Sequence, residues 1–174
     1  MAKYTVKLVD HATWSTHDQF GIQKAVQKLF DEAFNGTPDS VEASWTVPSL
    51  NDNLVVHFVP DRDHSYLKVR WPQANINPRA GGHTYTGDQP LSGSEVYQTR
   101  QGDRFPYVSY AATVFHEALH NLYPFQTVDF IHKLDGGGEA AGLAAPEYSF
   151  RSKMTDHNKE LMRRGFSVKN PQYI

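Results

Sequence analysis

Two histidines and a glutamate stand together in the run His116-Glu117-Ala118-Leu119-His120. Four residues of α-helix advance about 6 Å and return to nearly the same face, so both imidazoles can grip one cation. Glu117, one residue from His116, cannot join them as a ligand on that turn. It can reach water beside the same cation and take its proton. Neutral imidazoles suit zinc, which lowers the pKa of bound water toward neutrality. With nine His and seven Glu among 174 residues, chance supplies this pattern in roughly 2% of such chains. The bland alternative, two helical histidines that only satisfy hydrogen bonds, is therefore the weaker reading.

A catalytic zinc needs a third protein ligand and leaves the fourth position for water. The leading candidate is His157, within Thr155-Asp156-His157-Asn158-Lys159-Glu160-Leu161-Met162, at the first turn of a closing helix that could point back across the site. Asp129 and His132, nine and twelve residues after His120, come next, since a turn after the helix brings either round. Glu139 and Glu147 follow. Tyr148, in Pro146-Glu147-Tyr148-Ser149-Phe150, is the candidate second donor to an oxyanion. The triplet Gly136-Gly137-Gly138 lacks the G-K-[ST] that a phosphate loop requires and reads as a connector.

These residues need elements to hold them. Lys3 to Val9 alternates as a strand. A cap at Ser15 or Thr16 opens a helix striped by Ile22, Val26, Leu29, Phe30 and Ala33, and Asn35-Gly36 with Pro38 stops it. Val41 to Val47 is a second strand and Leu54 to Val59 a buried central one. Tyr66 to Trp71 and His83 to Thr86 are further strand candidates, with Glu95 to Thr99 as an edge strand beside the latter. Pro106 to Leu122 is the helix that carries the histidine pair, with Val108, Ala111, Ala112, Phe115, Leu119 and Leu122 as its apolar stripe. Tyr123 to Phe150 is mostly loop, with helical turns between Glu139 and Ala145. Thr155 caps a last helix through Arg164, ended by Gly165. This order predicts one α+β domain over residues 1–174, with helices packed on a mixed sheet.

Composition limits the alternatives. Seventeen Lys plus Arg against nineteen Asp plus Glu gives a formal net charge of -2, which offers no general electrostatic warrant for a nucleic-acid partner. The absence of cysteine removes thiolates as nucleophiles or ligands. It fits a cytosolic or virus-encoded chain, and equally a secreted one stabilised by packing. No apolar run is long enough to span a membrane, and the first eighteen residues are too polar for a secretory signal.

His116 to His120, preceded by Tyr110-Ala111-Ala112-Thr113-Val114-Phe115, resembles the active-site helix of zincin metallopeptidases. The resemblance implies zinc on His116 and His120, Glu117 as general base, and a twisted sheet above a cleft with a backing helix. Ala80-Gly81-Gly82-His83-Thr84-Tyr85 is similar to the region upstream of that helix in matrixin-like metzincins. Their motif continues with glycine and a third ligand where this chain has Tyr123 and Gln126, so that triad does not carry over. In a divergent metzincin Asp129 or His132 would substitute, with Met154 beneath the zinc. The stretch from His157 to Met162 is similar instead to the distant third-histidine segment of SprT-like zincins. The expected activity is that of a zinc endopeptidase acting on a protein or peptide laid along an edge strand. A zinc amidase of cell-wall peptide is one competing reading. A non-catalytic protein on the same scaffold is another, against which Glu117 argues.

Overall fold

The structure is a computed structural model that describes residues 1–49, 51–60, 80–85, 93–98, 106–123, 128–132, 138–146 and 148–168. Strand β1 (Lys3–Asp10) buries Val6 and Leu8 and leaves Lys3 exposed. Helix α1 (Thr16–Phe34) starts where Ser15 Oγ accepts the Asp18 N–H at 3.1 Å, as its cap predicts. It turns Ile22, Val26, Phe30 and Ala33 inward. Strand β2 (Ser40–Ser44) buries Val41 and Ala43, and β3 (Leu54–Val59) is buried throughout. Strands β4 (Gly82–Tyr85) and β5 (Gly93–Tyr97) follow.

Among the described residues these strands form one mixed sheet in the order β2-β1-β3-β5-β4. All neighbours are parallel except β4, which runs antiparallel to β5. The sequence put the edge on Glu95 to Thr99; instead β5 is interior and β4 is the edge. The reason is burial on both faces: Ser94 and Val96 on one side and Glu95 and Tyr97 on the other are all covered. The strand expected at Tyr66 to Trp71 lies outside the described residues.

Helix α2 (Pro106–Leu122) covers β4 and β5 and packs along α1. Proline at its first position needs no N–H partner there. Ala111, Ala112, Phe115, Leu119 and Leu122 are buried as their spacing requires, but Val108 is exposed at 42%. A five-residue helix, α3 (Val128–His132), occupies part of the stretch expected to be loop, and a 3-10 turn (Gly138–Ala144) stands where helical turns were expected. Helix α4 (Asp156–Val168) runs through Gly165 rather than stopping there, because Gly165 is buried against Leu122 of α2.

The aromatic residues tie these pieces together. Phe166 of α4 stacks on Tyr4 of β1 and stands edge-on to Phe30 and Phe34 of α1, while Phe30 tilts against Phe115 of α2. Arg163 of α4 donates to the carbonyls of Ala33 and Asn35 at 2.6 and 3.1 Å, groups that the end of α1 leaves without helical partners. Among the described residues no helix is long and apolar enough to cross a membrane.

Candidate metal centre

One turn of α2 separates His116 from His120, and α3 brings His132 against both. Their Nε2 atoms stand 3.2 Å (His116–His120), 3.1 Å (His116–His132) and 3.0 Å (His120–His132) apart. A hydrogen bond can link two imidazole nitrogens, but one proton cannot serve all three sides of such a triangle. The His116 Nδ1–H donates to the Leu143 carbonyl at 2.7 Å, which leaves Nε2 of that ring a bare lone pair. Zinc–imidazole bonds of 2.0–2.1 Å at tetrahedral angles space their nitrogens about 3.3 Å apart. The observed triangle lies within a few tenths of an ångström of that spacing, so these residues fit a zinc ion. Among the described residues this is the one group of three or more ligating side chains close enough to share a metal.

Burial sets the charge of the site. It drives the His116 pKa far below the ordinary imidazole value, and neighbouring His120 and His132 push the same way. Burial, aided by His132 and His83, takes His120 down to about 4. Both rings are therefore neutral near pH 7, the form that ligates. Glu117 is buried too, and its carboxyl is pushed up to about 7, chiefly by desolvation and further by Glu95, against a lowering hydrogen bond from Thr84. The nearby positive charge of a metal acts in the opposite sense and favours the carboxylate.

Strand β4 delivers Thr84 to this base. The Thr84 hydroxyl donates to Glu117 Oε2, lies 2.9 Å from Ser94 Oγ, and Ser94 Oγ accepts from Asn121 Nδ2 at 3.2 Å. An amide N–H only donates and an ionised carboxylate only accepts, so with Glu117 ionised the chain has one direction, from Asn121 to Glu117. Gly82, two residues before Thr84, permits the approach of strand to helix. A Cβ there would sit 2.8 Å from Glu95 O, 2.8 Å from Thr113 Cγ2 and 2.9 Å from Glu117 Cγ.

The residues expected from sequence divide as follows. His116, Glu117 and His120 share the site. The third imidazole is that of His132, not of His157. His157 occupies the first turn of α4, one residue before Asn158. Asn158 is the residue that faces the 3-10 turn beside His116, through hydrogen bonds to Leu143 and Ala141, and His157 is not part of the close histidine group. Tyr148 does reach the centre, but by its ring. It stacks on His116 with centroids 4.1 Å apart and planes 19° from parallel. Its hydroxyl donates to Thr113 Oγ1 at 3.2 Å, and burial with the Glu117 charge holds it protonated, well above the usual phenol range. In this arrangement the Tyr148 ring packs against His116 and its hydroxyl is engaged by Thr113. Met154, expected beneath the zinc, instead lines a groove of about 480 Å³ with Leu29 of α1 and Ala111 of α2. Glu147 and the side chains of Asp129 and Glu139 lie outside the described residues. Reading the sequence missed Thr84, the Leu143 carbonyl and Asn158, all joined to the centre by contacts remote in the chain.

A mixed sheet, a backing helix and a histidine-bearing helix packed under an antiparallel edge strand make a zincin-like α+β architecture. The crystal structure of archaemetzincin from Methanopyrus kandleri aligns with 94% of this chain and 96% of its own, with a TM-score of 0.52 and 10% sequence identity. At that identity the likeness shows the fold, and it does not extend to the narrower matrixin-like or SprT-like resemblances. No family model matches the chain, and no curated protein matches it.

Proposed function

We propose that this chain is a zinc-dependent endopeptidase. The observation that carries the reading is the convergence of three imidazole Nε2 atoms within 3.0–3.2 Å of one another beside a buried glutamate one residue from the first of them. His116, His120 and His132 would hold the metal. A zinc ion there supplies Lewis acidity, lowering the pKa of water and polarising a carbonyl. Glu117 takes the proton of the attacking water and returns it to the leaving amine. The Thr84 hydroxyl, donating to Glu117 Oε2, helps fix the orientation of that carboxyl group. The substrate is a protein or peptide that lies extended against β4 and pairs with its main chain. A binding or structural zinc site has no use for a buried base at this position, which favours catalysis over the scaffold-only reading.

Glu117→Gln tests this directly, with an unfolded protein such as reduced, alkylated lactalbumin as substrate. The variant should keep one zinc per chain and lose roughly 10²–10⁴-fold in kcat/KM. Cleavage by the variant at the wild-type rate, or no cleavage by zinc-loaded wild type, would overturn the assignment.

A further inference from the structure

Asn158 is 1% exposed and hydrogen-bonds through both its amide oxygen and its amide nitrogen. Its Oδ1 accepts the N–H of Leu143 and that of Thr155, both at 3.1 Å, and its Nδ2 donates to the Ala141 carbonyl at 3.0 Å. Turning the amide over would set its NH₂ against two N–H donors and its oxygen against a carbonyl, so these neighbours fix its orientation. Its own N–H donates to Thr155 Oγ1 at 3.0 Å.

Part of this is a reciprocal cap at the start of α4. A cap needs only one acceptor facing Thr155. The remaining two bonds reach across to the 3-10 turn and grip the backbone on either side of Gly142. That residue has φ +57° and ψ -126°, a bend in the left-handed region of φ. A Cβ on Gly142 would meet Asn158 Oδ1 at 2.7 Å, so the bend and the amide are fitted to each other. The next carbonyl after the bend is that of Leu143, the acceptor of the His116 Nδ1–H. A partner on Nδ1 decides which imidazole nitrogen carries the proton and which way the ring faces.

We infer that Asn158 is a positioning residue of the metal centre: by clamping the Gly142 bend it aims the Leu143 carbonyl at His116 and holds Nε2 of that ring free for the metal. The inference rests on His116 being a metal ligand, as read above. It gives α4 a task beyond covering the core, and it separates two functions within one side chain, capping and clamping.

Three substitutions divide those functions. Asn158→Asp keeps acceptors for both N–H groups but sets a carboxylate oxygen against the Ala141 carbonyl. Asn158→Ser is too short to reach Ala141. Thr155→Ala weakens the cap and leaves the clamp. The readout is zinc affinity, measured by competition with a chromogenic chelator on the full chain, together with the melting temperature of the metal-free protein. Asn158→Asp should weaken zinc binding by about 10–100-fold. Thr155→Ala should lower the melting temperature and change zinc affinity by less than about twofold. Should Asn158→Asp fail to fold, Asn158→Ser is read in its place. In the metal-free wild type, long-range ¹H–¹⁵N correlation should show the His116 proton on Nδ1. Zinc affinity unchanged in a folded Asn158 variant would overturn the inference while the endopeptidase reading stood. So would a loss in Thr155→Ala as large as in Asn158→Asp. A wild type that takes up no zinc would overturn both.

Discussion

Replacing His132 with alanine removes one corner of a triangle whose sides are 3.0–3.2 Å. Four-ligand zinc sites in small domains bind with roughly 10–16 kcal/mol, or about 3 kcal/mol for each ligand. One lost imidazole therefore weakens zinc by about 100-fold. Suppose zinc is supplied at about 100 times the wild-type Kd. The folded state then gains about 2.7 kcal/mol in the wild type, and only about 0.4 kcal/mol in a variant that binds 100-fold more weakly. For a chain of this length each kcal/mol moves the melting temperature by about 2–4 °C. The zinc-induced shift should thus fall from about 5–11 °C to about 1 °C. The metal-free proteins should behave differently. His132 adds to the unfavourable crowding that depresses the pKa values of His116 and His120, so its loss costs the unloaded protein little. Melting curves with and without zinc, on His132→Ala and on His157→Ala as the control, decide the matter. If the His157 variant lost the zinc shift and the His132 variant kept it, the placement of α3 in this argument would be refuted.

Two further expectations follow from burial and from close packing. In the metal-free protein His116 and His120 resist protonation, His120 down to about pH 4, whereas in the unfolded chain they take up protons near pH 6.5. Their contribution to stability is complete above about pH 6.5 and is lost as pH falls toward 4. Glu117, raised to about 7, contributes in the opposite sense over the same range, so urea unfolding of the metal-free protein at pH 7.0, 5.5 and 4.5 should show a reduced fall, which His120→Gln should flatten further. An identical slope in the two proteins would contradict the assignment. Gly82→Ala should destabilise the fold by about 1–3 kcal/mol, because the Glu95 carbonyl that the new methyl group meets is fixed in the sheet. A change below about 0.5 kcal/mol in chemical denaturation would mean that β4 stands farther from α2 than described.

Local signals in the sequence located α1, α2 and β3, since caps, apolar spacing and β-branched runs report on a segment's own neighbours. The pair His116 and His120 with Glu117 was legible for the same reason, all three lying within two turns of one helix. The third histidine of the cluster was not, because its position depends on how the chain after Leu122 folds back, and His132 and His157 offer the same imidazole. Thr155 was readable as a cap. That its partner Asn158 also grips Leu143, fifteen residues earlier, was invisible to spacing. Gly165 misled, since glycine ends helices and also lets them pack closely. Tyr148 was placed correctly near the centre, but its orientation follows from Thr113, a partner 35 residues away.

The anchoring of α4 bears on the order in which the histidine cluster is completed during synthesis. Residues 106–122 can coil as soon as they leave the ribosome, and the first two imidazoles with them. The carbonyl that orients His116 waits for Asn158, and Asn158 is held in place only when Arg163 and Phe166, some 130 residues after their partners on α1, have closed on it. Contacts of such separation form late. A nascent chain therefore carries Glu117 and the first two histidines well before the contacts that hold Asn158 in place have formed.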